Sequence, residues 1–140
     1  MPSLSPPSPA SPSPLPYDAV VTALRAAGCV FAEDEARLIL AAARTPDELT
    51  AMVDRRVTGV PLELVVGWAE FRGLRIAVEP GVFVPRRRTE FLVEQAVAAA
   101  PDASVVVDLC CGSGAVGAAL AAAAAEGGGA GPGALAGELV

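Results

Sequence analysis

Apolar residues recur at helical spacing in the first part of the chain. Val21 and Leu24 follow Asp18, a candidate N-cap residue, and Gly28 stands where a left-handed C-cap residue is expected. The segment Ala32–Ala43 repeats the pattern, and three acids in its first turn suit the positive end of a helix. The two patterns predict two short amphipathic helices.

A third helix has the clearest start. Thr45 can act as the N-cap, Pro46 suits the first helical position, and Glu48 completes a Thr-x-x-Glu capping box. An apolar face follows, and Gly59 ends the helix. Together the three helices predict a small helical domain over residues 17–58.

The pattern then changes to short runs that are typical of strands. These runs are Leu62–Val66, Ala69–Phe71 and Leu74–Val78. Arg72-Gly73 predicts a tight connection between the last two runs. We therefore expect a β-hairpin linker over residues 59–80.

Residues 81–140 alternate between helical and strand patterns. A helix is predicted from about Thr89 to Ala100. Ser104–Leu109 is a short apolar run, typical of a strand buried on both faces of a parallel sheet. A turn containing glycines leads into a predicted helix over Ala115–Ala125, and Glu138–Val140 has the pattern of another strand's first residues.

The N-terminal segment has a different composition. Residues 1–16 contain seven of the 13 prolines and five serines, so they bury too little apolar surface to offset the entropy of ordering. We expect a disordered tail. Pro9 and Pro12 have the PxxP spacing that docks in aromatic grooves, although a leader of biased composition is the simpler interpretation.

Composition excludes several functions. A net charge of −6, with ten arginines and no lysine, argues against a general binder of nucleic acids or anionic membranes. Without histidine, the chain has no imidazole for catalysis or metal binding. Cys29, Cys110 and Cys111 suit neither a disulfide framework nor a zinc site. No apolar run approaches the roughly 18–20 residues of a membrane span, and no secretory signal is recognisable. We expect a cytoplasmic protein without a metal.

The turn after the predicted buried strand can carry cofactor chemistry. It consists of Asp108, Leu109, Cys110, Cys111, Gly112, Ser113 and Gly114. Small residues let a ligand approach the backbone, and the following helix amides can bind an anion. The segment from Gly112 to Gly117 matches the G-x-G-x-x-G of dinucleotide sites. Asp108 at the strand end instead favours the acid-x-G-x-G-x-G loop of adenosylmethionine methyltransferases, and a turn without any ligand is a third possibility.

A second set of motifs precedes this turn. It comprises Gly59-Val60-Pro61-Leu62, then Gly67, Phe71 and Gly73, then Gly81-Val82-Phe83-Val84-Pro85-Arg86-Arg87-Arg88-Thr89-Glu90. In this order, and with the glycine turn, the chain resembles the peptide chain release factor N(5)-glutamine methyltransferase family. The resemblance covers about residues 17–140 and is weakest in the helical part.

The resemblance implies an α/β protein that methylates a glutamine side-chain amide of a release factor with S-adenosyl-L-methionine. It implies a helical substrate-recognition domain, a β-hairpin linker and an incomplete Rossmann-like methyltransferase domain with one strand, a glycine loop and a helix. The partner would be the release factor, and the chain would not bind nucleic acid directly. The implied cofactor residues are Asp108, Cys110, Cys111, Gly112, Ser113 and Gly114, with Pro85, Arg86, Thr89 and Glu90 in the neighbouring segment.

The chain departs from the family's pattern in several places. Arg87 and Arg88 replace Pro-Glu, which reverses a charge and bears on substrate preference. Cys110 replaces a glycine, which is compatible with the loop only if φ is negative there. The chain has no Asn, so the family's Asn-Pro-Pro-Tyr catalytic loop is absent, and no catalytic residue is predicted.

We therefore expect the chain to be the N-terminal portion of such an enzyme and to be inactive by itself. Two other interpretations stay open at this point. One is a related small-domain methyltransferase that acts on another amide or amino group. The other is a non-enzymatic fragment that binds a partner through its helices.

Overall fold

A computed structural model describes residues 16–101 and 103–127 of the 140-residue chain. These residues form two compact units, with the boundary between Val66 and Gly67. In chain order the elements are α1 Tyr17–Ala26, α2 Ala32–Ala42, α3 Pro46–Val57, α4 Leu62–Val66, β1 Trp68–Phe71, β2 Leu74–Ala77, a 3-10 turn Arg87–Thr89, α5 Glu90–Ala99 and α6 Ala115–Gly127. None of these helices is long and apolar enough to span a membrane.

The core of the first unit lies between its helices. α1 contributes Val20 and Leu24, α2 contributes Ile39 and α3 contributes Leu49, each almost completely shielded from solvent. These residues come from the apolar stripes at helical spacing, so burial of one face explains why the segments are helical. The three helices predicted from the sequence are therefore confirmed.

The ends of α1 show one correction and one confirmation. Asp18 lies inside the first turn, so the N-cap prediction is wrong; the Pro16 carbonyl accepts from the N–H groups of Ala19 and Val20 at 2.9 and 3.2 Å. At the other end Gly28 has a φ of +88°, and the N–H of Cys29 donates to the Leu24 carbonyl at 3.0 Å. This is the left-handed C-cap that the glycine predicted.

The start of α3 follows the predicted cap with one difference. The Thr45 hydroxyl accepts a hydrogen bond from the Glu48 N–H at 3.1 Å. The Glu48 carboxylate reaches one residue further back than in a capping box and accepts from the Arg44 N–H at 2.8 Å. Both contacts satisfy amides at the helix start, so the local sequence suffices to define it.

The prediction of a strand over Leu62–Val66 is wrong, because this segment is the helix α4. The Pro61 carbonyl accepts from the N–H groups of Leu64 and Val65, both at 3.1 Å. Val65 packs in the helical core, and the Arg55 guanidinium donates to the Leu64 carbonyl at 2.9 Å. A five-residue segment with four apolar residues fits a strand or a buried helix, and packing within the first unit decided between them.

An ion pair lies within the first unit. Arg56 Nε and Nη2 donate to the two carboxylate oxygens of Glu35, at 2.6 and 3.0 Å. The side chains are only 20% and 11% exposed, respectively. The hydrogen bond to Glu35 raises the pKa of Arg56, against the opposing effect of burial. The pair joins α2 to α3 and was not predicted from the sequence.

The same region gives a prediction for alkaline pH. Burial raises the pKa of the Cys29 thiol above its usual 9.0, and the negative charge of Glu35 adds to the shift. A raised folded-state pKa means that the stabilisation is complete below pH 9 and is lost as pH rises through the folded value. We expect the free energy of unfolding to fall above pH 9. In the Cys29→Ala variant this free energy should fall less over the same pH range. Urea titrations followed by circular dichroism test this; parallel losses in the two proteins would contradict it.

The second unit contains a two-stranded antiparallel hairpin. β1 and β2 pair with Phe71 opposite Leu74, so Arg72 and Gly73 form a two-residue turn. Both turn residues have positive φ, +48° and +74°, as a type I′ turn requires. The predicted tight connection is confirmed. Phe71 and Ile76 from the strands, Val93 from α5, and Ala115 and Ala119 from α6 form the core of this unit.

The prediction of a buried strand over Ser104–Leu109 is wrong for the described structure. No strand is present there, and Val105, Val107 and Leu109 are 75%, 73% and 83% exposed. A parallel strand is stable only when neighbouring strands satisfy its backbone and cover both faces. Among the described residues only β1 and β2 pair.

The described structure therefore mixes helices and sheet, without the strand of a Rossmann-like unit. Two predictions from the sequence lie outside the described residues. These are the disordered tail, apart from Pro16, and the strand start at Glu138–Val140.

Candidate functional site

A cleft of about 240 Å³ in the second unit gathers most of the predicted cofactor residues. Eight of the ten line it, and they are Pro85, Arg86, Thr89, Asp108, Cys110, Cys111, Gly112 and Ser113. The segment before α5 supplies the first three and the loop before α6 supplies the rest. Residues more than 20 positions apart thus share one cavity. Among the described residues, no group of three acidic or thiol side chains is placed to hold a metal ion.

Asp108 holds the end of the loop against helix α6. Its Oδ2 accepts a hydrogen bond from the N–H of Gly117 at 3.3 Å. Gly117 is the third residue of α6, so the carboxylate acts as a helix cap from outside the helix. This contact uses one oxygen, which leaves the other available to a ligand in the cleft.

The N-terminus of α6 offers backbone donors beside this carboxylate. Ala115 and Val116 are the first residues of the helix, and their N–H groups have no partner within it. Both residues line the cleft. Amides in this position, at the positive end of the helix dipole, bind anionic groups.

The two loop glycines are required by backbone conformation. Gly112 and Gly114 have φ of +58° and +73°, and a Cβ added to either would meet no atom within 4 Å. The left-handed backbone therefore explains both glycines, since side-chain space is available. Gly114 does not line the cleft, although it precedes the first residue of α6.

The condition under which Cys110 would suit the loop, a negative φ, is not met. The residue has a φ of +60°, so it adopts the left-handed conformation that favours glycine. A residue with a Cβ is strained there by about 1–2 kcal/mol. Cys110 is exposed, so this strain has no compensating burial.

This strain predicts that Cys110→Gly stabilises the second unit. Relief of the strain exceeds the extra unfolded-state entropy of glycine, which leaves a gain of about 0.5–1 kcal/mol. Cys111→Gly is the matched control, because Cys111 is also exposed and does not have a positive φ. It should lower stability slightly. Chemical unfolding followed by the fluorescence of Trp68, the one tryptophan, measures both; a destabilised Cys110→Gly protein would contradict the prediction.

Glu90 lies outside the cleft and has a structural contact. Its Oε1 accepts from the N–H of Arg72 at 3.1 Å, and Arg72 Nη1 lies 3.6 Å from Glu94 Oε1. Glu90 and Glu94 are one helical turn apart on α5. They hold the hairpin turn against that helix.

The apolar residues of the cleft were not among the predicted cofactor residues, although Phe71 and Phe83 belong to the motifs that precede the glycine turn. Phe71, Phe83, Leu92 and Val116 line it together with the loop. Phe83 is 70% exposed, and the Arg86 guanidinium lies 5.4 Å from its ring centre. The available sign in the sequence was an aromatic residue in a segment with a glycine and two prolines. Helical periodicity could not find it, because the residue lies in an irregular segment.

Comparison with known proteins indicates the class of protein that the chain resembles. No family model matches the chain. The chain is similar to curated proteins named release factor glutamine methyltransferase, among them three from different bacteria. The resemblance predicted from the sequence is confirmed over the aligned residues.

The similarity is substantial but partial. The protein of Geobacter sulfurreducens is 44% identical over 78 residues, which are 54% of this chain and 28% of that protein. The protein of Mycolicibacterium smegmatis is 44% identical over 91 residues, 62% of this chain and 32% of the relative. The protein of Streptomyces coelicolor is 49% identical over 73 residues, 49% and 26% of the two chains. The chain thus matches about a third or less of each relative's length.

Proposed function

We propose that the cleft binds S-adenosylmethionine and that the chain is part of a methyltransferase acting on a glutamine amide of release factors. The observation that carries this proposal is the convergence of Asp108, the glycine loop and the Pro85–Thr89 segment on one cleft at the start of α6. The names of the relatives support the substrate. We also propose a cytoplasmic location, a compartment in which the unpaired cysteines Cys29, Cys110 and Cys111 would stay reduced.

The groups in the cleft match the chemistry of this cofactor. Its carboxylate suits the free amides at the start of α6, and its ammonium and ribose hydroxyls suit the free oxygen of Asp108. Phe83, Leu92 and Val116 offer apolar surface for the adenine. The volume of about 240 Å³ lies below the roughly 300–1,000 Å³ of typical small-molecule sites, so part of the cofactor would extend into solvent.

The bound cofactor would supply an electrophilic methyl group on a sulfonium. An amide nitrogen is a weak nucleophile, so the protein must position it and accept hydrogen bonds from its N–H group. The family's Asn-containing loop does this, and the 140-residue chain contains no Asn. We propose that this polypeptide binds the cofactor without transferring its methyl group.

The helical unit would contact the release factor. Val30 and Phe31, in the turn between α1 and α2, are 84% and 69% exposed. These are the two most exposed large apolar side chains of the described helical unit, and exposed apolar surface can serve contact with a partner. This observation also favours the second candidate function, a partner-binding fragment without enzyme activity.

Isothermal titration calorimetry with S-adenosylmethionine tests the proposal. We expect S-adenosylmethionine to bind saturably to the full 140-residue chain, and we expect NAD not to bind. This comparison separates the two cofactor classes that the glycine motif allows. Methyl transfer to a purified release factor should be undetectable. Binding of a release factor without binding of S-adenosylmethionine would replace the proposal with the partner-binding function, and measurable transfer would overturn the inactivity.

A further inference from the structure

Three consecutive arginines carry positive charge that the described structure leaves largely unpaired. Most other arginines have partners, and the pairs are Arg25 with Glu33, Arg37 with Asp34, Arg56 with Glu35, Arg72 with Glu94, Arg55 with the Leu64 carbonyl, and Arg75 with the ring of Trp68. Arg87 Nη2 lies 3.9 Å from Glu70 Oε1, and the two side chains are 84% and 61% exposed, respectively. Arg86 and Arg88 have no carboxylate within 4 Å in the part of the chain that the structure describes, and the Arg86 guanidinium lies 5.4 Å from the ring centre of Phe83.

The arginines share one surface. Arg86, Arg87 and Arg88 line an open depression of about 540 Å³ together with Phe83. Arg86 and Phe83 also line the cofactor cleft, so the depression adjoins it. The nearby carboxylates of Glu90 and Asp108 accept hydrogen bonds from backbone N–H groups of Arg72 and Gly117. Among the described ion pairs, neither carboxylate is paired with one of the three guanidinium groups.

Like charges grouped on a surface repel one another, and a bound anion relieves this repulsion. The chain has 16 acids, yet among the described residues only Glu70 lies within 4 Å of one of these guanidinium groups. Three guanidinium groups match the few carboxylates of a short peptide. A nucleic acid site needs a larger basic footprint, commonly 6–10 phosphate contacts, and the overall negative charge opposes it. The exposed ring of Phe83 suits an apolar side chain next to the acids.

We propose that Arg86–Arg88 and Phe83 dock a short acidic peptide segment of the protein substrate, with an apolar residue against Phe83. The inference rests on the proposed function, because it takes the partner to be a protein presented to the cofactor cleft. The inference adds a substrate preference, namely for acidic residues near the target glutamine.

Fluorescence anisotropy with the full chain tests this docking. The probes are a labelled peptide with glutamate residues and one leucine around a single glutamine, and the same peptide with serine at each glutamate. At low ionic strength the acidic peptide should bind at least about tenfold more tightly, and added salt should reduce the difference. The double variant Arg87→Gln, Arg88→Gln should remove the preference. Arg44→Ala is the control, since Arg44 is exposed on the first unit.

The outcomes are distinct. Equal affinity for the two peptides, or a preference that survives the double variant, would overturn the proposal. Tighter binding of a single-stranded oligouridylate than of the acidic peptide would replace it with a nucleic acid site. If S-adenosylmethionine binds but the acidic peptide does not, the docking fails and the proposed function stands. Circular dichroism of the double variant checks that it is folded, as expected for exposed positions.

Discussion

Replacing Glu35 with alanine should destabilise the helical unit by about 3 kcal/mol. The substitution leaves the Arg56 guanidinium, which is 20% exposed, without the carboxylate that accepts two of its hydrogen bonds. Removing one partner of a shielded ion pair costs about 3–5 kcal/mol, because the remaining charge stays desolvated. Partial exposure places the expected value at the lower end. The loss should appear in urea unfolding monitored by circular dichroism, which reports mainly on helices.

The same helix offers a matched control for this prediction. Asp34 pairs with Arg37 at 2.6 Å, and these side chains are 71% and 65% exposed. Asp34→Ala should cost less than about 1 kcal/mol, because solvent screens exposed pairs. The double substitution Glu35→Leu, Arg56→Leu should recover much of the loss, since no charge is left buried. If Glu35→Ala and Asp34→Ala cost the same, the pair has no structural role.

Asp108→Asn should weaken S-adenosylmethionine binding while leaving helix α6 in place. Asparagine can still accept the hydrogen bond from the Gly117 N–H, so the cap survives. The substitution removes the negative charge from the oxygen that we assign to the ligand. A hydrogen bond to a charged group contributes about 1.5–3 kcal/mol, which is roughly a 10- to 150-fold change in Kd. Isothermal titration calorimetry measures it.

A second substitution separates the two roles of Asp108. Asp108→Ala removes the cap as well, so it should also lower the stability of the second unit by about 1 kcal/mol. Asp54→Asn is the charge-matched control, because Asp54 is exposed on the helical unit. It should change neither quantity. Cofactor affinity unchanged in both Asp108 variants would contradict the assignment of this carboxylate to the ligand.

The sequence determined the features that depend on neighbouring residues. The cap at Thr45, the left-handed end at Gly28 and the turn at Arg72-Gly73 are confirmed, because each needs only a few adjacent side chains or a backbone conformation. The motif order also sufficed to find the relatives. Most of the predicted cofactor residues lie in one cleft, although their roles stay predictions.

Only the tertiary structure decided the features that depend on distant partners. Leu62–Val66 became a helix because the helical core buries Val65, and Ser104–Leu109 formed no strand because no described strand pairs with it. Glu35 and Arg56 form an ion pair although they are 21 positions apart, and no local sequence pattern predicts that pair. The physical reason is common to all three: an apolar run or a charge is compatible with several environments, and the energy that selects one comes from contacts remote in sequence.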